Sequence, residues 1–332
     1  MSLPLLQPST ATSFPTSIAL TAQAPSFLKS QSTWFAALPY PLSLLTNTES
    51  QEKWQIYENL FLASLRTGAD ATAWQCLEAL VARFGKTNDR VIALHGLYLE
   101  ATAKDEHGLA AAMRLYEEVL IEDPTKFSIR KRRAALLRSA GKTAEAAQAL
   151  VNILDASPTD AEAWAELADL YLSQGAFDQA VFSLEEVLLV MPNAWNMHAK
   201  LGEVLYLQAS RTESVGEKAR LLAESFRRFC RSVELCDDYL RGYYGLKLTS
   251  TRLLELRSTS QKQQQNTSDP STGDLAPPST ETVKKLNAIA TAKLGEIVRR
   301  ASSGEKGWDG FSKAELSAAR DLLDKSTLKI ER

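Results

Sequence analysis

The chain has little of what most metal sites and catalytic centres are built from. Its 332 residues include only three cysteines, Cys76, Cys230 and Cys236. Their number is odd and none is spaced as CxxC, so we expect neither a disulfide framework nor a zinc site, and reduced thiols in a cytosolic or nuclear compartment. The histidines are isolated, and motifs such as GxSxG and HExxH do not occur. The sequence therefore predicts no metal, no cofactor and no enzymatic activity.

Charge and hydrophobicity argue against two further classes. The formal net charge is −2, whereas nucleic-acid-binding proteins usually carry a basic footprint. No apolar run approaches the roughly 18 to 20 residues that a membrane span requires. The stretch Val187–Trp195 is apolar, but it is short and contains Pro192. We expect no nucleic-acid partner and no transmembrane segment.

Residues 1–48 are poor in charge and rich in Ser, Thr and Pro, with Lys29 as the single charged side chain. They lack the basic start of a secretory signal and the arginines of a mitochondrial presequence. We expect a largely irregular extension that either is disordered or docks apolar side chains on the folded body. Those side chains are Trp34, Phe35, Tyr40, Leu42, Leu44 and Leu45.

What the chain does have is a repeat with a period of about 34 residues. Its clearest unit, 161–194, has large apolar residues and alanines at regular positions and ends with a proline: Trp164, Leu167, Ala168, Tyr171, Ala180, Leu184, Val187 and Pro192. This is the tetratricopeptide-repeat (TPR) pattern of two helices joined by a turn. Such repeats bury their apolar faces by stacking, and they usually present surfaces that bind other proteins.

Neighbouring segments keep the same register. The units are 54–88, 89–126, 127–160, 161–194 and 195–239, followed by a further first helix over 240–257. Insertions interrupt the register around Lys104 to His107 and around Ala209 to Lys218. Residues 49–257 are therefore predicted to form an all-α TPR superhelical solenoid of about five to six helix–turn–helix repeats.

The pattern stops after residue 257. Residues 258–280 are polar and contain proline, which predicts a flexible loop. Residues 281–332 should supply helices that complete and cap the solenoid. One is expected over 281–301, with an apolar face made of Val283, Leu286, Ile289, Leu294 and Ile297. The last is expected over about 312–323, where Ser312 and Glu315 have the spacing of a capping box.

One basic run departs from the repeat. It consists of Arg130, Lys131, Arg132 and Arg133, and it places Arg130 and Arg133 where Trp and Leu normally stand in a first helix. Buried charges need partners, and the preceding helix offers Glu117, Glu118, Glu122 and Asp123. Alternatively the run, together with Arg138, contacts a partner protein, and a nuclear import signal is a third interpretation.

The concave face of a TPR array is lined by fixed positions of the first helices. Here these positions carry a polar mixture with a few apolar side chains, which suits a protein segment: Glu162, Asp169, Leu172, Asn196, Glu203 and Tyr206. Where a chaperone-binding clamp would need asparagine, the chain has Ala135, Asp169 and Glu203. We therefore expect a protein-binding groove without that clamp.

Two blocks carry a more specific resemblance. They are IEDPTKFSIRKRRAALLRSAGKTAEA (121–146) and DAEAWAELADLYLSQGAFDQAVFSLEEVLLVMPN (160–193). The EDPT stretch, the basic run after it and the EAWAELADLY block together resemble the family of subunit 2 of the endoplasmic reticulum membrane protein complex, also described as the tetratricopeptide repeat protein 35 family. The resemblance spans roughly residues 54–248, and the N-terminal segment and loop 258–280 depart from it.

The resemblance implies a non-enzymatic scaffold at the cytosolic face of the endoplasmic reticulum, held to the membrane through its partners. The implied partners are the cytosolic parts of subunits 1, 3 and 5, with subunit 8 or 9 where present. The implied process is the insertion of tail-anchored and multi-spanning membrane proteins. A soluble adaptor that binds client peptides in its groove is the alternative.

Overall fold

The computed structural model describes residues 5–6, 14–31, 50–261, 277–308 and 310–328. Within these ranges the chain forms fourteen α-helices and no strand, which confirms the predicted all-α class. The chain divides into two compact units, residues 1–149 and 150–332.

The first unit has a leading helix and then consecutive helix hairpins. Its helices are α1 Phe14–Gln31, α2 Gln51–Thr67, α3 Asp70–Phe84, α4 Asp89–Thr102, α5 Glu106–Glu122 and α6 Phe127–Ser139. Helix α7, Thr143–Ala156, crosses the boundary between the units. The apolar side chains that the repeat register assigns to the helix seams are buried, among them Leu60, Leu77 and Leu137.

The second unit also consists of helix hairpins, and its helices are longer from α10 to α13. These are α8 Ala161–Ser173, α9 Phe177–Val190, α10 Trp195–Arg211, α11 Val215–Leu235, α12 Leu240–Gln261, α13 Thr280–Ser302 and α14 Lys313–Leu328. One continuous core joins them, with Leu184, Leu201 and Leu246 at most 1% exposed.

Glycines end first helices at the hairpin turns. Gly68 follows α2 with φ of 73°, and its N–H bonds back to the carbonyl of Leu65. Gly141 follows α6 with φ of 76°. Only glycine adopts this left-handed conformation without steric cost, so the turn can reverse the chain within a few residues.

Small residues let neighbouring helices approach closely. In the first unit, a Cβ atom added at Gly96 of α4 would overlap the ring of Tyr116 on α5. In the second unit, the ring of Phe229 on α11 leaves no room for a Cβ atom at Gly245 of α12, and one at Gly202 of α10 would come within 3.0 Å of it. Each glycine therefore accommodates an aromatic ring from an adjacent helix.

Part of the N-terminal segment is helical, which the sequence did not predict. Residues 14–31 form α1, which packs on α2 and buries Leu20 and Ala24. The ring of Phe27 meets that of Tyr57 edge-on at 5.3 Å. This helix contains Pro25 and lies outside the repeat pattern, so its stability comes from burial against α2 and not from local propensity. Residues 34–45, for which docking was predicted, lie outside the described part of the chain.

The predicted insertion around residues 209–218 lengthens two helices. Helices α10 and α11 contain 17 and 21 residues, against 13 and 14 in α8 and α9. The added length packs back on the preceding hairpin, because the guanidinium of Arg211 lies over the ring of Phe177 at 5.1 Å. Gln208 Nε2 also donates to Asp178 Oδ1 at 2.8 Å.

The C-terminal helices follow the prediction with two corrections. Ile289 was assigned to the buried face of α13, but its side chain is 54% exposed and Ala290 is buried instead. The reason is helical phase, since Ala290 lies seven residues after Val283 and Ile289 does not share that stripe. The predicted loop 258–280 is also shorter, since α12 continues to Gln261 and α13 begins at Thr280. Of the residues between them, 262–276 lie outside the described ranges.

The last helix begins with the predicted capping box. The N–H of Glu315 donates to Ser312 Oγ at 3.1 Å, and Glu315 Oε2 accepts from the Ser312 N–H at 3.2 Å. Helix α14 extends beyond residue 323, to Leu328.

Two glycine-to-alanine substitutions should act in opposite directions. Gly245→Ala places a methyl group inside the Phe229 ring, and we expect a loss of about 1–3 kcal/mol in the free energy of unfolding. Gly295→Ala on α13 meets no atom within 4 Å, so better helix propensity should stabilise the protein by about 0.5–1 kcal/mol. Urea unfolding followed by circular dichroism measures both changes. If Gly245→Ala proves neutral or stabilising, the close fit at Phe229 is wrong.

Candidate functional site

The basic run on α6 is held by an acidic residue that the sequence did not suggest. Arg132 Nη2 donates to Glu100 Oε2 at 2.5 Å, and the hydroxyl of Tyr116 donates to Glu100 Oε1 at 2.5 Å. The three side chains come from α6, α4 and α5, so this contact joins three helices of the first unit. Glu100 precedes Arg132 by 32 residues, close to one repeat period, which is the signal that could have identified it.

Burial and the shared carboxylate set the protonation of this group. Burial raises the pKa of Tyr116, and its hydrogen bond to Glu100 raises it further. Burial alone would lower the pKa of Arg132, but the hydrogen bond and charge of Glu100 outweigh it, and the pKa lies above its usual value. Arg132 is therefore a permanent cation, paired within the fold and partly buried.

The other cations of the run are placed differently. Arg133 Nη2 lies 4.0 Å from Glu117, a half-exposed ion pair, while the guanidinium of Arg130 lies over the ring of Phe127 at 5.6 Å. Among the proposed acidic partners, Asp123 instead accepts the N–H and hydroxyl of Thr125 at the turn before α6. Lys131 is half-buried and Arg138 is exposed on the same helix.

A groove in the second unit collects most of the predicted concave-face residues. It encloses about 680 Å3 and is lined mainly by α8, α10 and α12, with two residues of α14. The predicted residues in its wall are Asp169, Asn196, Glu203 and Tyr206. Glu162, which was predicted with them, is exposed at the start of α8 and does not line this groove.

The charges of the groove are paired with one another. Lys200 Nζ lies 3.4 Å from Asp169 and 3.7 Å from Glu203. Arg241 Nε donates to Glu315 Oε1 at 2.7 Å. Sequence reasoning missed the residues that supply these cations, although Lys200 stands one helical turn before Glu203 on the same face.

Apolar and aromatic side chains complete the wall. Met197, Tyr206, Tyr244 and Leu248 are half-buried there, so each offers contact area while part of it stays in water. The combination of aromatic surface with polar groups is typical of sites that bind protein segments.

The apolar stretch that contains Pro192 forms an exposed edge of the second unit. Leu189 is 75% exposed, Met191 52% and Trp195 44%. Contiguous exposed apolar surface of this kind marks interaction sites. We call these three side chains the apolar edge.

The turn that carries the apolar edge is held in place by its neighbours. His198 Nε2 lies 3.0 Å from the carbonyl oxygen of Pro192, and the hydroxyl of Ser232 donates to the carbonyl of Trp195 at 2.7 Å. Burial lowers the pKa of His198, with Arg228 and Arg231 acting in the same direction, although the bond to Pro192 opposes them. The imidazole therefore stays neutral near pH 7, and Nε2 carries the proton that bonds to Pro192.

The described residues also bear on metal binding, thiol reactivity and membrane spanning. That part of the chain holds no group of His, Cys, Asp and Glu side chains placed to bind a metal ion. Burial raises the pKa of Cys76 to about 12 and that of Cys230 to about 11, so neither is a reactive thiolate near pH 7. Within the same ranges, no helix has the length and apolar content needed to cross a membrane.

The helix hairpins, glycine turns and groove define a tetratricopeptide-repeat protein of the all-α solenoid class. The tetratricopeptide-repeat family model matches residues 137–201. Among solved structures, the C-terminal part of a TPR repeat-containing protein from Cytophaga hutchinsonii is similar, with a TM-score of 0.50, 14% identity, and coverage of 90% of this chain and 100% of that chain. At that identity the likeness shows the fold alone.

Sequence comparisons identify the family. The TPR repeat protein oca3 of Schizosaccharomyces pombe is 39% identical over 242 residues, which cover 73% of this chain and 82% of that protein. ER membrane protein complex subunit 2 of Xenopus tropicalis is 32% identical over 200 residues, which cover 60% of this chain and 63% of that protein, a little under two thirds of its length. The chain belongs to the family of ER membrane protein complex subunit 2, as the resemblance of its two blocks predicted.

Glu100 should matter far more to stability than Glu117. Glu100→Ala leaves the partly buried Arg132 and the buried hydroxyl of Tyr116 without their acceptor, and we expect a loss of about 2–3 kcal/mol in the free energy of unfolding. Glu117→Ala removes a distant, half-exposed pair and should change it by less than about 0.5 kcal/mol. Chemical denaturation measures both variants. Equal losses would mean that the basic run is not held mainly by Glu100.

Proposed function

We propose that the chain is a non-enzymatic scaffold subunit of an endoplasmic reticulum membrane protein complex and lies at the cytosolic face of the membrane. The observation that carries this proposal is the 32% identity over 200 residues to relatives named as subunit 2 of that complex. The groove and the apolar edge support it, since both are suited to binding protein.

The physical basis of the scaffold is stacked hairpins that present fixed surfaces. The groove offers aromatic side chains and paired charges, while the apolar edge offers large side chains on a turn held by His198 and Ser232. Surfaces that need no reordering lose little conformational entropy on binding. A subunit of this kind can hold partners in a set geometry without carrying out chemistry itself.

The proposed partners are the cytosolic parts of subunits 1, 3 and 5 of the complex, with subunit 8 or 9 where present. The proposed contact surfaces are the basic run with Arg138, the groove and the apolar edge. Through these contacts the chain would support the insertion of tail-anchored and multi-spanning proteins, while the membrane subunits perform the insertion.

A soluble adaptor is the second candidate, and the groove favours it. A cavity of about 680 Å3 with exposed polar groups could hold a client peptide without any membrane complex. The two candidates differ in the proteins that bind the chain and co-purify with it. These are membrane subunits for the scaffold and soluble clients for the adaptor.

Co-purification from detergent-solubilised membranes distinguishes the two candidates. We expect a tagged full-length chain to recover membrane-spanning subunits in fixed proportion, identified by mass spectrometry. A chain that remains soluble and monomeric, without membrane subunits, would contradict the scaffold proposal and leave the adaptor.

The apolar edge gives a sharper test of the same proposal. Leu189→Ser together with Met191→Ser should lower the recovery of membrane subunits about tenfold or more, since buried apolar anchors dominate interface energies. Folding should be unaffected because both side chains are exposed. Ile289→Ser on α13 is the matched control, with an aliphatic side chain of similar exposure outside the edge. Recovery that is unchanged in the edge variant, or equally reduced in the control, would exclude the edge as a subunit contact.

A further inference from the structure

The last helix reaches the groove through an ion pair. Glu315 and Ala318 of α14 lie in the groove wall with Arg241 and Tyr244 of α12. The carboxylate of Glu315 accepts from Arg241 Nε at 2.7 Å. The carboxylate of Glu315, on helix α14, therefore forms an ion pair with Arg241, a cation of the groove.

Of the two cations in the groove wall, Lys200 and Arg241, it is Arg241 whose ion-pair partner is more easily replaced. Lys200 is balanced by both Asp169 and Glu203, at 3.4 and 3.7 Å. Arg241 has a side chain that is 70% exposed, and Glu315 is its ion-pair partner among the described residues. Exposed ion pairs are weak, so another carboxylate can replace Glu315 at small cost.

The attachment of α14 to the fold is narrow. Among its described side chains, Ala319 is the one that is fully buried, while Leu316, Leu322 and Leu323 are partly buried against the core. These four positions form a single helical stripe beginning one residue after Glu315. Before the helix, Gly304 and Gly307 lie in turns and have positive φ.

We propose that α14 occupies a binding site from which a helix of a partner protein can displace it. The partner helix would bring a carboxylate to Arg241 and would carry an apolar stripe like that of α14. This inference rests on the proposed use of the groove for protein binding. A helix that binds in a groove contacts it through side chains spaced one helical turn apart. In α14 the side chains with this spacing are Glu315, Leu316, Ala319 and Leu322.

A substitution can separate the ion pair from the helix cap. Glu315 also caps Ser312, and glutamine serves in a capping box as well as glutamate does. Glu315→Gln therefore keeps the start of α14 and removes only the charge that faces Arg241.

The probe is a fluorescein-labelled peptide with the sequence of residues 311–325, compared with the same peptide carrying glutamine in place of its glutamate. Binding to the full-length chain is measured by fluorescence anisotropy at low salt. We expect Glu315→Gln to bind the acidic peptide up to roughly fivefold more tightly than the unmodified chain, which is the range that an exposed ion pair allows. The same variant should bind the glutamine peptide weaker by a similar factor.

Two further variants assign the effect to Arg241. In Arg241→Gln the two peptides should bind alike. In Arg252→Gln, which removes another exposed, ion-paired arginine of α12 that does not line the groove, the preference for the acidic peptide should remain. Equal binding of both peptides to Glu315→Gln, or no binding to any variant, overturns the inference.

The recovery of membrane subunits is measured separately from peptide binding. Peptide exchange without membrane partners contradicts the proposed function and supports the inference about α14. Membrane partners without peptide exchange contradict the inference alone.

Discussion

The fit of an aromatic ring against a glycine backbone is the constraint on which the first unit depends. Tyr116 lies where a side chain at Gly96 would stand, so α4 and α5 approach more closely than two larger residues would allow. That approach brings the Tyr116 hydroxyl to Glu100, and Glu100 in turn reaches Arg132 on α6. The packing of one pair of helices thus determines where the cation of the next helix is held. Arg132 is tolerated in this partly buried position because Glu100, which Tyr116 also contacts, supplies it with a carboxylate.

The same type of contact sets the groove of the second unit. Phe229 packs against Gly202 of α10 and Gly245 of α12, and these two helices carry most of the groove wall. Phe229 and Gly245 themselves belong to that wall, so the ring fixes the separation of the helices and the depth of the groove together. A larger residue at either glycine would widen the spacing and move Asn196 and Tyr206 of α10 away from Arg241 of α12. The packing of Phe229 against the two glycines therefore also determines the geometry of the groove.

The period of the sequence predicts the helix hairpins and the helical face that lines the groove. Asp169, Asn196, Glu203 and Tyr206 line one groove because a constant register repeats the same helical face in each unit. Helix α1 escaped prediction because it follows no repeat, contains Pro25 and depends on burial against α2. The partner of Arg132 was not predicted because several acidic residues stand on the adjacent helix α5, whereas Glu100 lies on α4, one helix further back. Contacts between helices that are neighbours in space but separated in sequence need the three-dimensional stack, and the register alone does not specify which polar side chains meet.

Charge and apolar surface are distributed differently in the second unit, and the difference bears on how it binds. The groove contains both signs of charge, and Lys200 and Arg241 are each paired within the wall. Such pairs favour partners that can exchange one carboxylate for another, which gives selectivity at low affinity.

The apolar edge has no charged side chain of its own and is held by hydrogen bonds to main-chain carbonyls from His198 and Ser232. Since the pKa of His198 is lowered by burial, mild acidification does not readily disrupt this support. An apolar surface on a fixed turn supplies affinity without much selectivity, so the two surfaces complement each other: the edge is suited to permanent association, and the groove to the choice of partner.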